Sequence, residues 1–136
     1  MPFEIIETDK YVIKISVDFS YMEYLIKEGV TIDVEDVVMA KAVVLEVTKK
    51  KLYVFSEGAE FFTLTKKARE LCASTGHLDN TIAIAFYTTN TSIYLLGDIF
   101  NKINKPPVPT RIFRDRYEAK EWLREQARKS GSYPEF

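Results

Sequence analysis

Hydrophobic positions alternate along the start of the chain and then recur with helical spacing. Phe3 to Glu7 and Tyr11 to Val17 predict two strands around the polar turn Thr8-Asp9-Lys10. The second puts Tyr11, Ile13, Ile15 and Val17 on one face, with Val12, Lys14 and Ser16 on the other. Tyr21 to Lys27 predicts a third strand, closed by Glu28-Gly29, although Tyr21, Tyr24 and Leu25 also suit a short helix. Asp33-Val34-Glu35-Asp36 then opens a helix, because Asp33 can accept from a free amide and acids suit the positive end of the dipole. Val37, Ala40, Val44 and Val47 share its inner face, and Lys49-Lys50-Lys51 close it.

Leu52 to Ser56 predicts a strand, Glu57-Gly58-Ala59-Glu60 a loop, and Thr63 or Thr65 the cap of a second helix. Leu64, Ala68, Leu71, Cys72 and Thr75 form that helix's stripe, with Gly76 as a left-handed stop. The chain is organised about the next stretch, Thr81 to Tyr87. Ile82, Ile84 and Phe86 face one way there; Ala83, Ala85 and Tyr87 face the other. Apolar on both sides, it suits a strand covered by helices, and its alanines would let one approach closely. Asn90 or Thr91 starts a third helix with Ile93, Leu96, Phe100 and Ile103 on one face. Lys105-Pro106-Pro107-Val108-Pro109 is a stiff connection. Arg111 to Arg114 is a last strand. Asp115-Arg116-Tyr117-Glu118 is a capping box for a final helix buried along Ala119, Trp122 and Leu123. The predicted fold class is α/β: a mixed sheet with antiparallel N-terminal strands followed by β-α crossover units. Residues 1–128 form one domain, and 129–136 a flexible tail.

The 136-residue length fits one domain with a real core. A net charge of -1 offers no bulk field for nucleic acid or an anionic membrane. Residues 1–104 carry 11 Lys/Arg against 15 Asp/Glu, and residues 105–136 carry 8 against 5, so the C-terminal part is basic. The single cysteine, Cys72, excludes an intrachain disulfide and suits a reducing compartment. With no leader-like start and no long apolar run, the expected location is the cytoplasm, without membrane insertion or nucleic-acid binding. Asn90-Thr91-Ser92 matches a glycosylation acceptor but is taken as a helix start.

The chemistry-bearing residues are few. His77 and Cys72 lie five apart across a helix end and could form a base–nucleophile pair. Cys72 on an apolar stripe and His77 as a cation after the helix end is the preferred reading. No metal site, cofactor or catalytic residue is assigned: the glycine spacings match no phosphate loop, and Asp33/Asp36 and Glu57/Glu60 are explained as a helix start and a solvated loop. Arg116, Lys120, Arg124 and Arg128 recur every four residues and line one edge of the last helix, interleaved with Glu118, Glu121 and Glu125. A solvated face is preferred to an acidic or phosphate partner. Only Tyr117 and Tyr133 are aromatics near it.

The closing residues carry a resemblance. Ile112-Phe113-Arg114-Asp115, Glu118-Ala119 and Trp122-Leu123 resemble the end of SpoIIAA-like (STAS-related) domains, where a strand ending in Phe leads into a helix with Glu-Ala and Trp-Leu. The acid-started helix, the Thr-started helix with Lys67-Ala68-Arg69, the Ala/Ile strand and Pro109 fit the same order. The resemblance implies a non-enzymatic regulatory or interaction module. Some such domains are anti-anti-sigma factors switched by phosphorylation of a Ser at a helix start; others are appended to anion transporters. This chain departs from the switch version. In place of the Asp-Ser-Ser-Gly type motif it has Ser56 and Phe61-Phe62-Thr63-Leu64-Thr65. Thr63 or Thr65 is either a phosphorylated group or a helix cap, and the cap is preferred. Open α/β sheets bind beyond the carboxyl ends of their strands. The expected partner surface is therefore Ser56, Phe61, Phe62, Thr63 and Thr65, with the helix from Thr91 beside it. The alternative function is a binder of a small apolar or lipid-like ligand between sheet and helices, which the 18 aromatic residues permit. A homodimer through the N-terminal strand edge is a further expectation.

Overall fold

The computed structural model describes residues 3–16, 20–132, 134 and 136. Val17 and Tyr133, named above in a strand and beside the basic ridge, lie outside the described residues.

Three N-terminal strands, β1 (Glu4–Glu7), β2 (Tyr11–Ser16) and β3 (Tyr21–Ile26), pair antiparallel as a meander. The third element is thus a strand, with Tyr21 and Met22 buried on opposite faces. From β3 onward the pairing is parallel, through β5 (Leu52–Gly58), β7 (Thr81–Tyr87) and β8 (Thr110–Phe113). Among the described residues the sheet has six strands in the order β1-β2-β3-β5-β7-β8. The parallel strands advance in one direction. Right-handed crossovers therefore put α1 (Val34–Val47), α2 (Lys66–Cys72) and α3 (Thr91–Asn104) on one face, and α4 (Arg116–Lys129) returns on the other.

The two faces pack differently. Against α4 lie Tyr53, Phe55, Ala83, Ala85 and Phe113, meeting Ala119, Leu123 and Ala127. Small side chains on both partners bring helix and sheet close, as the Ala face of β7 predicts, and Ala83, Ala85, Ala119 and Ala127 are fully buried. The other face gathers Ile13, Ile15, Met22, Ile26 and Leu52 under Val37, Ala40 and Val44 of α1 and Ala68 of α2.

Several expectations change. A two-stranded parallel pair, β4 (Thr31–Ile32) and β6 (Thr63–Leu64), was not foreseen, since two residues carry no period. Thr63 belongs to β6 and Thr65 is the α2 cap. β5 continues through Glu57 and Gly58, which pair with Leu25 and Ile26, so the predicted loop starts later. The α2 helix stops at Cys72, with Ala73 as its C-cap; Gly76 is not in the left-handed region, which Gly29 and Gly131 occupy. Ile82 packs with the α4 side rather than with Ile84 and Phe86, because the β5–β7 register shifts between Leu52 and Tyr53. At Asp115, the half of the capping box seen is the carboxylate accepting from the Glu118 amide at 2.8 Å. Beyond residue 128, Lys129 completes α4, and the Phe136 ring stacks on Tyr21 at a centroid distance of 4.2 Å.

Candidate functional site

Between the sheet and helices α1, α2 and α3 lies a cavity of about 430 Å³. Its floor includes Val54, Ile84, Phe86 and Ile112, and its walls include Val44, Leu64, Ile93 and Phe100. The floor follows from the period of two: these residues alternate with those facing α4. The opening follows from α3, none of whose residues is buried. α3 is seated on β8 by Gly97, where a Cβ would come within 2.6 Å of Ile112, and by Asn101, whose amide donates to the Thr110 carbonyl at 2.8 Å. Its apolar row turns partly outward: Leu95, Leu96, Ile99 and Ile103 are exposed, Leu96 at 66% and Ile103 at 75%. The stripe predicted from spacing is real, but it is not buried. Leu96 and Thr63, exposed lining residues on α3 and β6, mark the mouth.

Of the five residues of the expected partner surface, Ser56, Phe62 and Thr63 line the cavity, and Phe61 and Thr65 do not. Ser56 lies on β5 and lines the cavity. Phe62 lines it as well, its ring over Gly58 and 6.3 Å from the Phe86 ring. Phe61 points out, 62% exposed. The Thr65 hydroxyl donates to Asp33 Oδ1 at 3.0 Å and accepts from the Ala68 amide at 3.2 Å, so it joins the caps of α1 and α2. The Asn90 amide holds this loop to the start of α3 through the Glu60 carbonyl at 2.7 Å.

Cys72 and His77 both line the cavity, with no hydrogen bond between them. Burial pushes the Cys72 thiol up to about 11, so it is neutral near pH 7. Burial, then the nearby Lys41 ammonium, lowers the His77 pKa; His77 is not the cation expected after the helix end. Lys41 takes that role, its Nζ donating to the carbonyls of Gly76 and His77 at 2.8 and 3.0 Å and to Asp79 at 2.7 Å. Among the described residues no three His, Cys, Asp or Glu side chains gather as a metal site.

The basic ridge of α4 is engaged within the chain. Arg116 makes two bonds to Glu57, at 2.8 and 3.0 Å, and lies over the Tyr87 ring. Lys120 pairs with Glu23 at 3.1 Å over the Phe55 ring. Arg124 and Arg128 share Glu121. Half the ridge thus clamps α4 to the sheet, a contact between elements that spacing along one helix does not reveal.

Two lining residues escaped the sequence reading. Tyr24 alternates with Met22 and Ile26 and passes for core; its buried hydroxyl finds no hydrogen-bond partner among the described residues. Arg69 lies one turn before Cys72 and has no acid three or four residues away in the sequence, a signal available from spacing alone.

A model for a domain of unknown function, DUF7793, matches residues 21–127. The chain belongs to the DUF7793 family. A solved structure similar to this DUF7793 chain is an uncharacterised protein of the DUF3478 family with a SpoIIAA-like fold, from Shewanella loihica PV-4. It is 12% identical, the alignment covers 90% of this chain and 92% of that one, and the TM-score is 0.55. At that identity the likeness speaks for the fold, and the SpoIIAA-like architecture resembled by the closing residues is the one observed. No curated protein matches the chain. Among the described residues of this DUF7793 domain, no helix is long and apolar enough to cross a membrane.

Proposed function

We propose that this DUF7793 domain is a non-enzymatic binding module that holds a small apolar, lipid-like ligand between its sheet and helices α1 to α3. The cavity of about 430 Å³ carries the reading, being within the size range of small-molecule sites and walled mainly by aliphatic and aromatic side chains. The cavity is open at its mouth, so a bound apolar molecule would cover lining side chains that otherwise meet water. The tight packing on the α4 face shows that this composition can close a core where closure serves. Native mass spectrometry of the protein from its own host cells tests the reading. The expected spectrum carries an added small-molecule mass, and the stripped protein takes up a neutral apolar fluorophore. A bare mass together with no fluorophore uptake would overturn it.

A second reading, a regulatory protein-interaction module of STAS type, is favoured by the exposure of Phe61 beside the outward row of α3. Its surface is Ser56, Phe61, Phe62, Thr63 and Thr65. β1 is an edge strand with Ile5 exposed, which suits pairing with a second copy. A photo-crosslinker at position 61 should capture a defined protein in host cells that the same group at position 129 does not. Equal capture at both positions would count against this surface.

A further inference from the structure

The cavity's polar side chains restrict what enters it. Lys41, a lining cation, is consumed by three oxygens of the chain, Gly76, His77 and Asp79. His77 is kept neutral by burial and by Lys41. Arg69 differs: its Nη1 donates to the Leu64 carbonyl at 2.6 Å, and no acidic side chain pairs with it among the described residues. Tyr24 supplies a buried hydroxyl without a partner. Tyr24 packs against the same core cluster as Ala68, Leu71 and Cys72 of α2, Cys72 lies one helical turn beyond Arg69, and Tyr24 and Arg69 both line the cavity.

We infer that the ligand is a single-chain amphiphile with an anionic carboxylate head, its carboxylate against Arg69 and the Tyr24 hydroxyl and its chain along the apolar floor towards α3. This rests on the reading that the cavity holds a ligand. A guanidinium presents parallel donors that match a carboxylate, and the phenol adds a third donor. A carboxylate entering an apolar space without such a cation would be expelled by its desolvation cost. A twelve-carbon chain with its head is a probe of the small-molecule size that a cavity of about 430 Å³ accommodates.

The test compares dodecanoate with 1-dodecanol at pH 8, below their aggregation limits, as displacers of N-phenyl-1-naphthylamine. Dodecanoate is expected to bind about tenfold tighter, the usual scale of a hydrogen-bonded ion pair over a neutral contact. Arg69→Gln should bring the two within about threefold by weakening dodecanoate, and a cooperative thermal melt checks that the variant is folded. Tyr24→Phe should weaken dodecanoate more than dodecanol. Equal affinities in the wild type, or a preference that survives Arg69→Gln, would overturn the inference and leave the cavity reading standing. If neither compound binds and the fluorophore is not taken up, the cavity reading fails and the inference falls with it.

Discussion

Thr65 illustrates how much one side chain can hold. Its hydroxyl caps α2 through the Ala68 amide and reaches the Asp33 carboxylate that caps α1. Thr65→Ala removes both bonds and is expected to cost about 1 kcal/mol, the usual worth of an N-cap, read as a fall in melting temperature. Thr65→Glu should cost more, because it places a carboxylate near Asp33. A phosphate on this hydroxyl would meet the same repulsion; Thr65 acts as a tie between the two caps. Protonation should undo the same corner. Burial pushes Asp36 up, but the Asp33 amide at 2.9 Å and the Lys10 ammonium at 2.8 Å outweigh it and hold the carboxyl below its ordinary value. Asp33 is held low by the Val34 amide and then by the Thr65 hydroxyl. A carboxyl whose pKa is lower folded than unfolded stabilises above the unfolded value, near 4, and loses that contribution as pH falls through the folded one. Circular-dichroism melts should therefore fall steeply below about pH 4, after a shallower decline that begins near pH 6.5, where the unfolded chain protonates His77 before the folded one does.

At the scale of elements, two glycines make contrasting contacts. A Cβ on Gly58 would meet the Phe62 ring at 2.2 Å, and that ring is held against Phe86 at the mouth of the cavity. Gly58→Ala is expected to destabilise by about 1–3 kcal/mol, as overpacking does. On Gly97 the Cβ would meet the Ile112 Cδ1 tip at 2.6 Å, and that tip can swing into the adjoining cavity. Alanine also favours the helix by up to about 1 kcal/mol, so Gly97→Ala should keep or raise the melting temperature. Neither contact is legible in the sequence, since a glycine shows no trace of what approaches it. The long elements were legible: α1 and α4 declared their caps and inner faces, and the strands their period. Burial of an amphipathic face was not. The spacing of Ile93, Leu96, Phe100 and Ile103 is the same whether the row is covered or left open, and here much of it is open. The candidate surface was half legible. Phe61 and Phe62 are adjacent in the sequence, and an extended pair cannot turn both side chains inward, whereas Arg69 and Tyr24 acquire meaning only from the space they border.

At the scale of the molecule, the sheet separates a dry, closely packed side from a side with room, and β7 touches both. Ala83 and Ala85 face α4 with no exposed surface, whereas Ile84 faces the cavity. Substitutions that add volume at neighbouring positions should therefore act in opposite ways. Ala85→Leu forces about three methyl-sized groups between β7 and α4 and should destabilise by about 1–3 kcal/mol or more, with no direct loss of ligand capacity beyond that of unfolding. Ile84→Phe grows into open space. It should leave the melting temperature of the stripped protein unchanged or higher, because added apolar contact is gained without displacing packed neighbours. The same variant should take up less N-phenyl-1-naphthylamine, since the floor of the cavity has risen. Ligand should likewise separate the two: at a hundredfold excess over its dissociation constant it stabilises the wild type by about 2.7 kcal/mol, and Ile84→Phe should lose most of that gain. Thermal melts of both variants, with and without dodecanoate, read all of this. If Ile84→Phe destabilised as much as Ala85→Leu, the α1–α3 side would be as full as the α4 side and the cavity would have no standing as a site.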